Sequence, residues 1–340
     1  MRVGFNPNKD NKTSTPIFFH QVIIPVYIPN HEGYFRNAFE ILNLSLTSLI
    51  KTSHDKTYIT IVNNGGCLDV IEYLDQLLKD GKIHELIHTQ NIGKLNAILK
   101  GISGNNFPFI TVSDTDVLFL NDWQSETYNV FEKFPKTGAV CPTPSSRSLR
   151  TYTSNIYWDL FFSEKLKIAE VVNPNALANF AVSVGNADFY NSIQLSKNLI
   201  VSDNKNKAVV GAGHFVTTYR GEVFSDFRNR YSSHKMGGGS ESEFLDIPVI
   251  KAGLWRLSTA DNYAYHMGNV VEPWMQEEVL KLSDLKSVVT FKLHPFKKQA
   301  FWGNFIKNKL FAKFILNKKI MKLFLIWKGL SKQEAENYLV

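Results

Sequence analysis

The sequence predicts an α/β fold, a mixed and mostly parallel sheet flanked by helices, with a basic helical extension at the C-terminal end. Three observations predict it. Apolar, strand-like runs alternate with helically spaced segments over the first ~120 residues, as strand–helix–strand units do. After Gly138 the alternation gives way to shorter, aromatic-rich stretches. From Leu285 to Lys332 there are twelve lysines and no Asp or Glu.

The elements follow in order. The run over residues 22–29 is apolar and closed by Pro29, which suits a buried strand. Residues 36–50 carry Phe39, Leu42, Leu46, Leu49 and Ile50 at helical spacing. Residues 58–62 are a β-branched strand, broken by Asn63-Asn64-Gly65-Gly66. A helix over 68–78 ends at Gly81, a short strand lies over 86–88, a helix over 93–102 and a strong strand over 107–112. Beyond Gly138 the spacing predicts a strand at 139–141, a loop at 142–150 and an aromatic-rich helix over 152–168. Strands are expected at 179–184 and 214–219, and a flexible glycine loop at 236–240. A helix over 244–252 contains Pro248. Residues 263–268 lead out to a helix at 277–282 and the lysine-rich tail.

Composition bounds the class. The 340 residues suit one large domain with an appendage, or two domains. With 44% hydrophobic and 20% charged residues, the chain buries a full core and is neither disordered nor collagen-like. Cys67 and Cys141 make no disulfide framework and no zinc spacing. The polar start has no apolar signal core, and no apolar window is long enough to span a bilayer. The expectation is a cytoplasmic protein, peripheral on the inner face of the membrane. The net charge of +7 divides into +12 on the tail stretch and −5 on the rest.

Ser113-Asp114-Thr115-Asp116 directly follows the 107–112 strand. Ligands of open parallel sheets bind beyond such strand ends. Two carboxylates there suit a hard cation, Mn²⁺ or Mg²⁺, that bridges phosphates. Paired capping aspartates are the plain alternative.

Around this tetrad the sequence resembles the nucleotide-sugar glycosyltransferases of GT-A fold, most like family 2 and of the bacterial surface-glycan type. Val22-Ile-Ile-Pro-Val-Tyr27 is similar to the first strand of that family, whose end cradles the nucleoside and would bring in Pro25 and Tyr27. Asn63 and Asn64 stand where the family has an Asp-rich turn contacting the base. Asn91-Ile-Gly-Lys-Leu-Asn-Ala97 resembles a helix start near the diphosphate, which implicates Lys94. Asp114-Thr-Asp116 looks like the DXD metal motif, and His266 falls where a third metal ligand often lies. Residues 211–220 resemble the acceptor-side strand. The stretch Gly239-Ser-Glu-Ser-Glu243 stands at the catalytic Glu-Asp pair. Counted back from Gly253, Glu241 matches the Glu and Ser242 the usual Asp, so both Glu241 and Glu243 remain candidates for the base.

The resemblance implies a transferase domain over 1–275, with a nucleotide-binding half over about residues 20–135 and an acceptor half over about 136–275, and the basic charge sets apart a helical tail over 276–340. The resemblance also implies sugar transfer, by inversion, from a nucleoside-diphosphate sugar to a hydroxyl of a glycan or lipid-linked acceptor. Chemically, Lys94 at a helix start favours anions, and a Glu in a glycine loop serves as general base if burial lifts its pKa toward neutral. Arg147, Arg150, Arg220 and His214 are further candidates for contact with acceptor or phosphate. In the tail, Ile306, Leu310, Phe314, Met321 and Phe324 form an imperfect stripe among the lysines, which suits an anionic membrane surface. Packing of those helices on the catalytic body is the alternative. No reading motif accompanies the charge, so nucleic acid is not expected. Two other functions compete: a non-catalytic glycan- or partner-binding protein on a degenerate transferase fold, and a nucleotidyltransferase. The second lacks the expected glycine-rich loop after the first strand.

Overall fold

A computed structural model describes residues 4–5, 9, 17–203, 205–225, 231–284, 291, 293–295 and 300–339, apart from the side chain at 301. Lys286, Lys292, Lys297 and Lys298 of the basic stretch lie outside these residues. Strand β1 (His20–Val26) leads to α1 (Ala38–Thr52), β2 (Thr57–Asn64), α2 (Leu68–Lys79), β3 (Glu85–Thr89), α3 (Lys94–Ile102) and β4 (Phe109–Ser113). These seven follow the predicted alternation closely. Next come β5 (Val117–Phe119), α4 (Trp123–Lys133), β6 (Thr137–Cys141), α5 (Ser154–Leu160), β7 (Leu166–Glu170), α6 (Pro174–Ser183) and α7 (Ser192–Ser196). Strands β8 (Lys197–Ser202), β9 (Lys207–Val210) and β10 (Val216–Arg220) precede α8 (Ile247–Lys251), β11 (Trp255–Thr259), β12 (Ala264–His266) and α9 (Pro273–Lys281). The tail forms α10 (Phe301–Phe305), which runs through a wide turn over Ile306–Leu310 into α11 (Phe311–Ile315). It ends with α12 (Lys318–Trp327) and α13 (Lys332–Tyr338).

The main sheet has the order β3-β2-β1-β4-β10-β6-β11-β9-β8-β7. Its first four strands are parallel. Strand β10 enters antiparallel between β4 and β6, and β11 pairs parallel with β6. A small second sheet pairs β12 with β5. Parallel strands with helices on both faces read as continuous apolar runs, and Val22, Ile23, Ile24 and Val26 are all fully buried. One face packs on α1 and α2 through Leu42, Leu46, Val70 and Leu74. The other packs on α3 through Leu95 and Ile98.

Three expectations are corrected. Residues 179–184 are not a strand but the second half of α6 and its C-cap: Asn173 caps that helix by accepting from the Ala176 N–H, and Pro174 begins it. The helix expected over 152–168 stops at Leu160, and residues from Leu166 onward form β7 against β8. The helix expected over 244–252 is regular only over α8, after a wide turn at Ser242–Asp246, with Pro248 in its first turn where no N–H is needed.

The tail helices are integral to the core. Ile315, Met321, Leu325, Ala335 and Tyr338 share one apolar cluster with Val140 of β6, Val210 of β9 and Leu257 of β11. Tyr338 donates its hydroxyl near the carbonyls of Ser146 and Lys197, at 3.2 and 3.0 Å. The predicted stripe therefore divides: Met321 and Phe324 are buried, whereas Ile306, Leu310 and Phe314 are exposed. No helix among the described residues is long and apolar enough to cross a membrane.

Candidate active site

The charged residues converge beyond the C-terminal end of β4. Asp114 begins the turn there, anchored by its N–H to the Phe215 carbonyl at 2.7 Å. Lys94 is the first residue of α3. Its ammonium lies 2.6 Å from Asp114 Oδ1 and 2.8 Å from Glu241 Oε1. Two features bring it there. Gly93 has φ +91, and a Cβ on it would stand 2.8 Å from Lys235 Cα. The Lys235 carbonyl accepts from the Lys94 N–H at 2.8 Å, which ties the 231–236 segment to the helix start. Three consecutive glycines at positive φ, Gly237 to Gly239, then turn the chain back toward Lys94.

That path places the two glutamates differently. Glu241 faces Lys94, while Glu243 is exposed. The expected rise of the base's pKa is not found. Burial pushes the Glu241 carboxyl up, but the charge and hydrogen bond of Lys94 outweigh it and hold the carboxyl below its ordinary value. For Lys94, burial works against the charge, yet Asp114 and Glu241 prevail and raise the ammonium well above the usual lysine range.

Behind Glu241 lies an array that the sequence reading left unassembled. His214 Nδ1 is 3.9 Å from Glu241 Oε2. Its Nε2 lies 2.8 Å from both oxygens of Asp246. Asp246 is fully buried and pairs with the equally buried Arg256 at 2.7 Å. Arg256 also donates to the carbonyls of Thr151 and Ala212. The place of Asp246 is structural, holding His214 and neutralising Arg256.

The second aspartate is built differently. Asp116 Oδ2 lies 3.3 Å from His266 Nε2. Register explains the pairing, because His266 on β12 stands opposite Val117 on β5. Ser183 Oγ, at the end of α6, is 2.9 Å from His266 Nδ1 and donates its own proton to the Phe180 carbonyl. The hydroxyl is thus left to accept from Nδ1–H, which turns Nε2 toward Asp116. Burial raises the Asp116 carboxyl, His266 works against that, and Asp114 adds to it. Asp116 Oδ1 is buried without a hydrogen-bond partner. A carboxylate with one oxygen unpartnered and the other beside an imidazole nitrogen fits a divalent cation that takes its remaining ligands from diphosphate and water. Asp114 is turned to Lys94, and among the described residues no three His, Cys, Asp or Glu side chains converge on one point.

The nucleoside-side candidates sit at the ends of β1 and β2. Pro25 is half-buried and Tyr27 is 41% exposed, edge-on to Phe35. Asn63 accepts from the Gly66 N–H at 2.7 Å and donates to His88 Nδ1. Asn64 accepts from the Ile92 N–H at 2.9 Å. Both asparagines therefore shape the turn that any base would meet. Arg220 is a core residue bonded to the carbonyls of Thr137, Pro135 and His294. Arg147 stacks on Phe189, and Arg150 reaches the Leu316 carbonyl of the tail. A cavity of about 880 Å³ runs along α3 past Asn96, Lys100, Phe107 and Phe224. Lys94, Asp114, Asp116 and Glu241 do not line it, so the charged cluster, not that hollow, marks the site.

The family model for glycosyl transferase family 2 matches residues 22–182. Poly-beta-1,6-N-acetyl-D-glucosamine synthase of Staphylococcus epidermidis is 26% identical over 112 residues, 33% of this chain and 27% of the relative. The Staphylococcus aureus (strain COL) synthase is 24% identical over the same shares. The chain thus spans about a quarter of the length of these curated relatives. Among solved structures, S. aureus TarS 1-349 in complex with UDP-GlcNAc is 10% identical at a TM-score of 0.43, covering 95% of this chain and 70% of that one. Mannosyltransferase PcManGT from Pyrobaculum calidifontis, in complex with GDP-Man and Mn2+, is 12% identical at a TM-score of 0.44, covering 96% and 76%. The matched segment contains the alternating strands, Lys94 and both aspartates, and over residues 22–182 this chain is similar to the family 2 glycosyltransferases.

Proposed function

We propose that the chain transfers a sugar from a nucleoside-diphosphate donor to a hydroxyl of a glycan or lipid-linked acceptor, with inversion. The observation that carries this is the Lys94 ammonium held between Asp114 and Glu241 at the end of β4. It puts a cation suited to diphosphate and a carboxylate suited to an acceptor hydroxyl in one cluster. In the reaction the acceptor oxygen bonds to the anomeric carbon, the bond to the diphosphate breaks, and Glu241 takes the hydroxyl proton. Lys94 and the N–H groups at the start of α3 meet the charge on the leaving diphosphate. Asp116 and His266, with Asp114 beside them, would hold Mn²⁺ or Mg²⁺, which as a Lewis acid neutralises that same charge. The synthase relatives support an acceptor that is a growing surface glycan. The lysine-rich C-terminal helices suit a peripheral position on the inner face of the membrane, where a lipid-linked acceptor is presented.

A thermal-shift panel of UDP- and GDP-sugars with Mn²⁺ tests the reading, since a bound donor stabilises by mass action. Donor hydrolysis is followed in parallel. A stabilising donor that is slowly hydrolysed supports transfer. A donor that binds and is never cleaved, with any acceptor glycan, points instead to a pure binding protein.

A further inference from the structure

The tail helices bury one side in the core and leave the other uncovered. Along α10, the wide turn and α11, Trp302 is 72% exposed, Leu310 55% and Phe314 52%, while Ile315 is fully buried. On α12, Leu323 and Trp327 face out opposite Met321 and Leu325. The catalytic body extends this surface. Phe162, in the loop between α5 and β7, is 86% exposed, with its ring centroid 6.0 Å from that of Trp327. Phe161 beside it touches both Trp327 and Phe311, at 5.4 and 6.1 Å, and so joins the two helices.

The charge around this surface has one sign. Lys309, Lys313, Lys318 and Lys319 are exposed and have no acidic partner among the described residues. Lys328 stands over the Trp327 ring at 4.1 Å. Exposed tryptophan and phenylalanine flanked by lysines match the interface of an anionic bilayer. There the rings enter the headgroup boundary and the ammonium groups meet phosphates.

We propose that Phe162 and the outer faces of the C-terminal helices form one composite surface that seats the protein on anionic lipid. It deepens the reading that the acceptor is held at a membrane, but its test does not pass through catalysis. The contacting surface thus takes Phe162 from the body and its other exposed rings and lysines from the tail. Because the inner sides of the same helices are core, the body is held at a fixed tilt rather than tethered.

The full chain is sedimented with vesicles of phosphatidylcholine alone, and with about 30% phosphatidylserine added, at about 0.15 M salt. Wild type is expected to bind the anionic vesicles selectively and to shift its tryptophan emission to the blue. Phe162→Ser is expected to lower the partition coefficient about tenfold, as withdrawal of one interfacial aromatic does. The pair Lys318→Glu and Lys319→Glu lowers it at least as far. Unfolding midpoints, read alongside, stay at the wild-type value. Unchanged binding of Phe162→Ser overturns the composite surface, and so does failure of wild type to bind. Self-association lost in Phe162→Ser, without vesicle binding by wild type, assigns the face to a second copy instead. Vesicle binding by a chain that cleaves no donor counts against the transferase and leaves this surface standing.

Discussion

Replacing Glu241 by Gln separates chemistry from structure. Gln keeps the shape and leaves an oxygen for Lys94, but it carries no charge and takes no proton. Lys94 retains Asp114 at 2.6 Å, so its ammonium is not orphaned. The Glu241 side chain is 30% exposed, so loss of the ion pair costs about 1 kcal/mol of stability or less. Loss of a general base lowers kcat by about 10²- to 10⁴-fold, which corresponds to roughly 2.7–5.5 kcal/mol in the barrier. The gap between these figures makes the test decisive. Donor release is followed at saturating donor, affinity is measured by calorimetry, and stability by urea unfolding. The expected outcome is a collapse in kcat with donor affinity within about threefold of wild type. Glu243→Gln serves as the control and stays at the wild-type rate. Turnover of Glu241→Gln within threefold of wild type refutes the assignment, and loss confined to Glu243→Gln moves the base by two residues. The pH dependence has a definite sign. Lys94 overcomes burial and depresses the Glu241 pKa, so the base is ionised throughout the neutral range. The stability this gives is present above the unfolded pKa and is lost as pH falls through the folded one.

Three further outcomes are expected. Asp116→Asn should abolish Mn²⁺-dependent stabilisation by nucleoside diphosphate while raising the metal-free unfolding midpoint slightly, because burial already disfavours that charge; unchanged Mn²⁺ binding would count against the ligand set. Ser183→Ala should weaken Mn²⁺ binding about tenfold through loss of the contact that orients His266, with recovery in Ser183→Thr, as read by electron paramagnetic resonance. Asp246→Ala should destabilise by about 3–5 kcal/mol in urea, since it strands the buried Arg256; a cost below about 1 kcal/mol would show that the carbonyls of Thr151 and Ala212 suffice for that guanidinium.

The first part of the sheet was legible because its strands are buried on both faces and its helices are amphipathic, so Val22 to Val26 and the spacing of Leu42, Leu46 and Leu49 announce themselves. The part after β5 hides its strands. Trp255 to Thr259 alternates as a strand should, but Arg256 sits in the middle, fully buried. That makes sense only once Asp246, ten residues earlier, is known to face it. Residues 179–184 look like a strand by content, and the informative signal, Asn173 followed by Pro174, stood six residues upstream of that stretch. Which glutamate meets Lys94 depended on how three glycines turn a loop. Two residues apart on a turn point to different sides, and composition does not say which side meets Lys94.

The burial of Ala335, Tyr338 and Leu339 against β6, β9 and β11 has a consequence for biosynthesis. The parallel strands β1 to β4 and their helices are complete within the first 113 residues, so that half can form while the chain is still emerging. The part built on β6, β9 and β11 cannot. Its interior stays open until the polypeptide has been made through Leu339, and until then its apolar strands are available to chaperones and to neighbouring nascent chains. A reporter or epitope tag placed directly after α13 therefore sits beside core residues and not on an exposed segment.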